Sequence, residues 1–247
     1  MKKQILITTL LSITSVNAFA EQVFVSAITT AKANYEIKAP TNIKPECTES
    51  LTRSELETLI STGTEQEISE ACTKDITDFN RIFMGSSKNP DISNWDVSSG
   101  TNFEFMFYSA RNFNQDISSW NVSNAKTMKS MFSSTDKFNQ DIGNWDVSNV
   151  EDFSGMFKNA ESFNKDIGNW NTSSGKIFRN MFLVNPTFNQ DISKWNVSNG
   201  EDFFRMFDQS EAFNKDISNW NVDNARIYDD FYSESLLTAS QVPEKFR

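Results

Sequence analysis

Six aspartates stand 25 residues apart, at Asp91, Asp116, Asp141, Asp166, Asp191 and Asp216. Carboxylates in such register could bridge calcium, work as an acid–base pair, or accept hydrogen bonds from backbone N–H groups at turns. The last reading is favoured. Carboxylates one strand spacing apart repel by roughly 0.8 kcal/mol in water, and hydrogen bonds from turn N–H groups or serine hydroxyls offset that. Calcium-binding solenoids use glycine-rich ligand loops that this chain lacks. A catalytic pair should break the repeat at one place, and no such cluster occurs. The absence of histidine removes histidine-based triads and histidine-ligated metal. The expectation is a protein with no catalytic residues, no cofactor and no metal, hence not an enzyme.

The remaining reactive side chains are Cys47 and Cys72. They are too few for a structural zinc site. In an oxidising compartment they are expected to pair, closing a loop that stabilises the fold by roughly 3.5 kcal/mol on the chain-entropy model. The N-terminus points to such a compartment. Lys2 and Lys3 precede an apolar stretch from Ile5 to Val16 that is too short to span a bilayer, and Ala18-Phe19-Ala20 has the pattern of a cleavage site. Residues 1–20 therefore read as a signal peptide with Glu21 as the mature start, and the location as exported: secreted, cell surface or periplasm. No lipid anchor or membrane insertion is expected. The formal charge of −10 argues against nucleic acid or anionic membrane as partners.

The aspartates belong to a longer phrase. "FNQDISSWNVSNAKTMKSMF" begins at Phe113, and close copies begin at Phe138, Phe163, Phe188 and Phe213. The chain's six tryptophans are Trp95, Trp120, Trp145, Trp170, Trp195 and Trp220. Each follows an isoleucine by three residues and precedes a valine or threonine by two, as in Ile142, Trp145 and Val147. I-x-x-W-x-V has the order of a leucine-rich repeat with larger residues. The alternation in W-x-V predicts a short strand. Downstream, Val150, Phe153, Met156, Phe157 and Ala160 have the spacing of one helix face. Ser99, Asn124, Asn149, Ser174, Asn199 and Asn224 precede that stripe and suit N-caps.

No single unit buries its aromatics alone, so copies must stack. The expected fold is an α/β repeat solenoid, leucine-rich-repeat-like, with short parallel strands on one side and short helices on the other. Helices pack about 8–10 Å apart against about 4.8 Å for strands, so the stack should curve with strands inside. Ahead of the array, Thr52 and Glu55 have capping-box spacing before Leu56, Leu59 and Ile60. The segmentation is 1–20 signal peptide, 21–46 extension of uncertain structure, 47–78 helical N-terminal cap, 79–232 repeats and 233–247 C-terminal cap or tail.

Polar residues flanking the tryptophans supply the candidate binding surface. One file is Asn94, Ser119, Asn144, Asn169, Lys194 and Asn219; the other is Asp96, Asn121, Asp146, Asn171, Asn196 and Asn221. They suit an extended polar partner such as a peptide or glycan, though solvated strand residues with Asn ladders are the favoured reading. Phe105, Tyr108, Leu183, Val184, Pro186 and Phe204 put apolar groups where other copies are polar or small. A contiguous group of these would mark a partner site.

The recurrent F-N-x-D-I-x-x-W-[DN]-V-S resembles the BspA-like leucine-rich-repeat surface proteins of bacteria, over about residues 79–232. The resemblance implies an exported repeat protein, often at the cell surface, with roles in adhesion or protein binding, and it brings no catalytic residues. The expected function is a non-catalytic protein-binding or adhesion module acting through a curved solenoid surface. A polysaccharide-binding or polysaccharide-acting solenoid, or a structural or antigenic coat protein without a specific ligand, are the alternatives.

Overall fold

The computed structural model describes residues 47–247. The predicted signal peptide and the extension over 21–46 lie outside the described residues. The chain is a regular stack of 25-residue units, each lying on the next. Its core is built from the tryptophan, isoleucine and phenylalanine columns, nearly all fully buried.

Rings stack in files through the molecule. Phe107, Phe132, Phe157, Phe182 and Phe207 follow one another at centroid separations of 5.6, 5.9, 5.7 and 5.4 Å. Phe113, Phe138, Phe163, Phe188 and Phe213 follow at 6.0, 5.9, 6.0 and 5.9 Å. Trp195 lies 6.2 Å from both Trp170 and Trp220.

That spacing decides against the predicted helices. Neighbouring helices need about 8–10 Å between axes, and rings repeating near 6 Å leave no room for them. The stretch from Phe103 to Ala110 is instead a run of successive tight turns. Met106, Tyr108 and Ala110 donate to carbonyls three residues back, while Phe103, Phe105, Phe107 and Ser109 donate to Thr127, Lys129, Met131 and Ser133 of the next copy. Later copies repeat the pattern, so this half of each unit is tied to its neighbour by backbone. Turns of three residues place apolar side chains at the same steps as a helix face, which is why the sequence pattern did not separate the two.

The predicted strands at W-x-V do not form either. The isolated parallel bridges run elsewhere, through Asp78, Asn102, Thr127, Asp152, Ile177, Asp202 and Ile227. In the tryptophan half the backbone donors are taken locally. Trp145 N–H donates to the Ile142 carbonyl and Val150 N–H to that of Val147. Gly143 and Ser148 N–H groups donate to the side chains of Asp141 and Asp146. Short polar side chains that bond nearby N–H groups compete with a strand ladder, and here they win. The proposed N-cap residues have no helix to cap: Asn124, Asn149, Asn199 and Asn224 donate instead to carbonyls of the preceding copy. The leucine-rich-repeat-like α/β architecture is thus corrected to a stack of turns whose rings repeat near 6 Å in both halves. The difference in spacing that would have forced strong curvature is absent.

Helices are confined to the front of the described chain. Helix α1 spans Arg53–Thr62 and α2 spans Glu65–Ser69, both opened by capping boxes, Thr52 with Glu55 and Thr64 with Glu67. They bury Leu56, Ile60 and Ile68. The Cys47–Cys72 disulfide is formed, closing a span of 25 residues. Helix α2 also copies the bonds of a repeat. The Ile68 carbonyl accepts from the Trp95 indole as Ile92 does from Trp120. Glu65 accepts from Asn89 N–H as Asn89 does from Asn114. Lys88 Nζ donates to the Ile60 and Gly63 carbonyls at the end of α1.

The far end is closed by the chain's last residues. Short 3-10 turns at Ala239–Gln241 and Glu244–Phe246 place Phe246 4.7 Å from Phe231 and 4.9 Å from Tyr228. Phe231 is buried under this closure, while Tyr228 and Tyr232 stay half-buried at its edge.

Candidate functional site

The two polar files flanking the tryptophans are on the surface. Asn94, Ser119, Asn144, Asn169, Lys194 and Asn219 are exposed, as are Asp96, Asn121, Asp146, Asn171, Asn196 and Asn221. Each exposed pair brackets a tryptophan buried to 5 % exposure or less, so a bulky ring fixes the direction of both neighbours. The second file has a structural duty as well. Ser123, Ser148, Ser173, Ser198 and Asp223 N–H groups donate to Asn121, Asp146, Asn171, Asn196 and Asn221. Residues of the first file lie outside those turns. Two of them reach the previous copy, Ser119 through the Ser93 carbonyl and Asn219 through that of Ser193.

The aspartate column lies in turns. Asp91, Asp116, Asp141, Asp166, Asp191 and Asp216 accept from the N–H two residues on, at 2.9–3.1 Å. The Ser93 hydroxyl and N–H hold Asp91 below the ordinary carboxylate range, and Ser118 and Ser218 do the same for Asp116 and Asp216. Backbone then hydroxyl of Ser193 lower Asp191, and hydroxyl then backbone of Ser148 lower Asp146. A carboxylate stabilised in its charged form by donors is poorly suited to carry protons at neutral pH. Among the described residues, no group of three or more acidic or sulfur side chains is arranged to hold a metal ion.

Between copies the bonds repeat in ladders. Asn139, Asn164, Asn189 and Asn214 N–H groups donate to the side-chain oxygens of Asn114, Asn139, Asn164 and Asn189. Trp120, Trp145, Trp170, Trp195 and Trp220 indoles donate to Ile92, Ile117, Ile142, Ile167 and Ile192 carbonyls. Sequence reasoning took the tryptophans as packing alone. Their constant offset from the isoleucine column was the available signal for the bond.

The apolar deviations do not form one patch. Phe105 and Tyr108 meet edge-on at 5.5 Å, with the Arg81 guanidinium 5.2 Å and Lys129 Nζ 5.4 Å from the Phe105 ring centre. Phe204 lies under Arg179 and Arg205. Val184 and Pro186 line a separate trough of about 550 Å³ with Arg111, Asp136, Glu161, Glu211 and Glu234. Burial raises the Asp208 carboxyl above its ordinary value, against the pull of Arg205.

No described helix is long and apolar enough to cross a membrane. One family matches the chain, described as "Mycoplasma protein of unknown function, DUF285", over residues 54–154 and again over 139–244. The two matches overlap at residues 139–154, consistent with internal repetition. No curated protein and no solved structure matches the chain.

Proposed function

This chain belongs to DUF285, a family of unknown function, and on that footing we propose that it is an exported, non-catalytic binding or adhesion module. One observation carries the reading. Twelve polar side chains stand exposed in two files along the stack, each pair oriented by a buried tryptophan. Such a surface is preorganised, and preorganisation lowers the entropic cost of binding an extended partner. The disulfide is consistent with an oxidising compartment. The resemblance to BspA-like leucine-rich-repeat surface proteins supports display outside the cytoplasm, with a protein as the partner held by the polar files.

The test is capture of envelope or extracellular proteins by the purified chain, repeated with Asn144→Lys and Asn169→Lys together. These positions lie outside the Asx turns, so the fold should be kept. Loss of capture with an unchanged melting curve is expected. Capture that survives the double variant would remove the files from the function, and a single carboxylate substitution abolishing turnover of a polysaccharide would replace the reading with an enzyme.

A further inference from the structure

A second surface breaks the repeat where the polar files keep it. A groove of about 320 Å³ runs across four consecutive copies on the turn-ladder half, and none of its lining residues belongs to the polar files. The first copy contributes Phe105 and Tyr108, where later copies carry Ser130, Gly155 and Asn180, or Ser133, Lys158 and Leu183. Between the walls Ser130 and Ser134 offer half-buried hydroxyls, Ser133, Ser154 and Gly155 being buried, and the far wall is Lys158 and Arg179. An aromatic wall, a pair of hydroxyls and a cationic wall are thus set side by side by substitutions in the same columns.

The charge is also out of character. The chain carries −10 overall, yet the groove is lined by Lys129, Lys158 and Arg179 and by no carboxylate. Lys129 and Arg179 pair at the rim with Glu104 and Asp202, at 2.8 and 3.3 Å. Lys158 has no carboxylate partner among the described residues. Phe105 adds Arg81 to this group by holding its guanidinium over the ring. The Phe105 φ of 56° belongs to the repeat, shared by Ser130, Gly155, Asn180, Arg205 and Asp230, so the ring is placed by the backbone turn that every copy makes.

We propose that this groove binds an acidic sugar unit of an anionic glycan. The sugar's apolar face lies on Tyr108, its hydroxyls meet Ser130 and Ser134, and its carboxylate reaches Lys158 and Arg179 through charge-assisted hydrogen bonds. The volume lies at the small end of ligand sites, enough for a short stretch of sugar rings. The proposal rests on the binding-protein reading only in needing access to the outside of the cell.

Calorimetry on the full chain, with an oligogalacturonate, its neutral methyl ester and a poly-glutamate peptide, tests it. The oligogalacturonate should bind and the ester bind about tenfold more weakly, with Lys158→Glu costing a similar factor. Phe105→Gly removes the ring at a position where glycine suits the backbone. It should weaken sugar binding while raising the melting temperature, so a lost fold cannot explain the loss. Equal affinity for acid and ester, or affinity unchanged in Lys158→Glu, overturns the proposal. Poly-glutamate binding as tightly as the sugar overturns it in favour of an acidic peptide. Protein capture through Asn144 and Asn169 is read independently. Sugar binding without capture sinks only the reading in the preceding subsection, and capture without sugar binding sinks only this one.

Discussion

The tryptophan half and the phenylalanine–methionine half of each unit join the same neighbours by opposite means. In the tryptophan half most backbone N–H groups are spent within the copy, and the links between copies each use a side chain: the indole, the Asn ladder, and the amides of Asn124 or Asn199. In the other half the backbone itself crosses, at every second residue, and side chains mainly pack. The first half therefore depends on residue identity, the second on shape. This explains why the phrase F-N-x-D-I-x-x-W is nearly invariant between copies while positions such as 105, 130, 155, 180, 205 and 230 range from Phe to Gly to Asp.

The largest expected effect tests the identity-dependent half. Trp145→Ala should cost about 3–5 kcal/mol in chemical unfolding. Trp145→Phe keeps a ring but leaves the Ile117 carbonyl without its donor, and should cost about 1–3 kcal/mol. If Trp145→Phe were neutral, the indole bond would carry nothing and the contrast between halves would fail.

Next in size is the disulfide. Cys72→Ser should lower stability by about 2–4 kcal/mol. Because the cap supplies a repeat's bonds to Trp95, hydrogen exchange should quicken around Trp95 while the amides near Trp170 stay protected. Mass spectrometry finding free thiols in exported protein would remove the crosslink.

A smaller effect, of opposite sign, belongs to the shape-dependent half. Val184 has φ of 54°, a region a β-branched residue resists. Val184→Gly should raise stability by about 1 kcal/mol. A matching loss in thermal melts would show that the Val184 side chain holds the trough wall by packing.

The smallest effect separates the halves by pH. Asp91, Asp116, Asp146, Asp191 and Asp216, all in the tryptophan half, have lowered values. Their contribution is present above the unfolded carboxylate value of about 3.9 and is lost as pH falls through the lowered folded values. Asp208, in the other half, is raised. It therefore costs stability at neutral pH and ceases to do so as pH falls through its folded value. Asp208→Asn should raise the melting temperature at pH 7 and leave it unchanged in acid, whereas Asp116→Asn should do the reverse in sign.

The repeat, its register and its core were legible in the sequence because a 25-residue period in large aromatics admits little but stacking. The first capping box was legible because Thr52 and Glu55 act within four residues, whereas that of Thr64 and Glu67 went unread. The local backbone was not. The steps of Val150, Phe153, Met156 and Phe157 are shared by a helix and by successive turns, and only the ring spacing between copies chooses. Polar spacing in W-x-V likewise hid that Asp141 and Asp146 take the N–H groups a strand would have used. The polar files were legible as exposed; the groove at Phe105 was not, since it needs four copies side by side to exist.

The inter-copy bonds of the Asn ladder span 25 residues, and those of the indoles in the array span 28. Each copy thus engages its immediate neighbour through the same atoms. Removing residues 138–162 would bring Asn164 against Asn114 with the geometry now shared by Asn139 and Asn114. Gain or loss of one whole unit therefore keeps the same set of inter-copy bonds and should leave a stack that still folds. The molecule is in that sense a ruler with fixed ends and an adjustable number of gradations, each adding about 6 Å of reach.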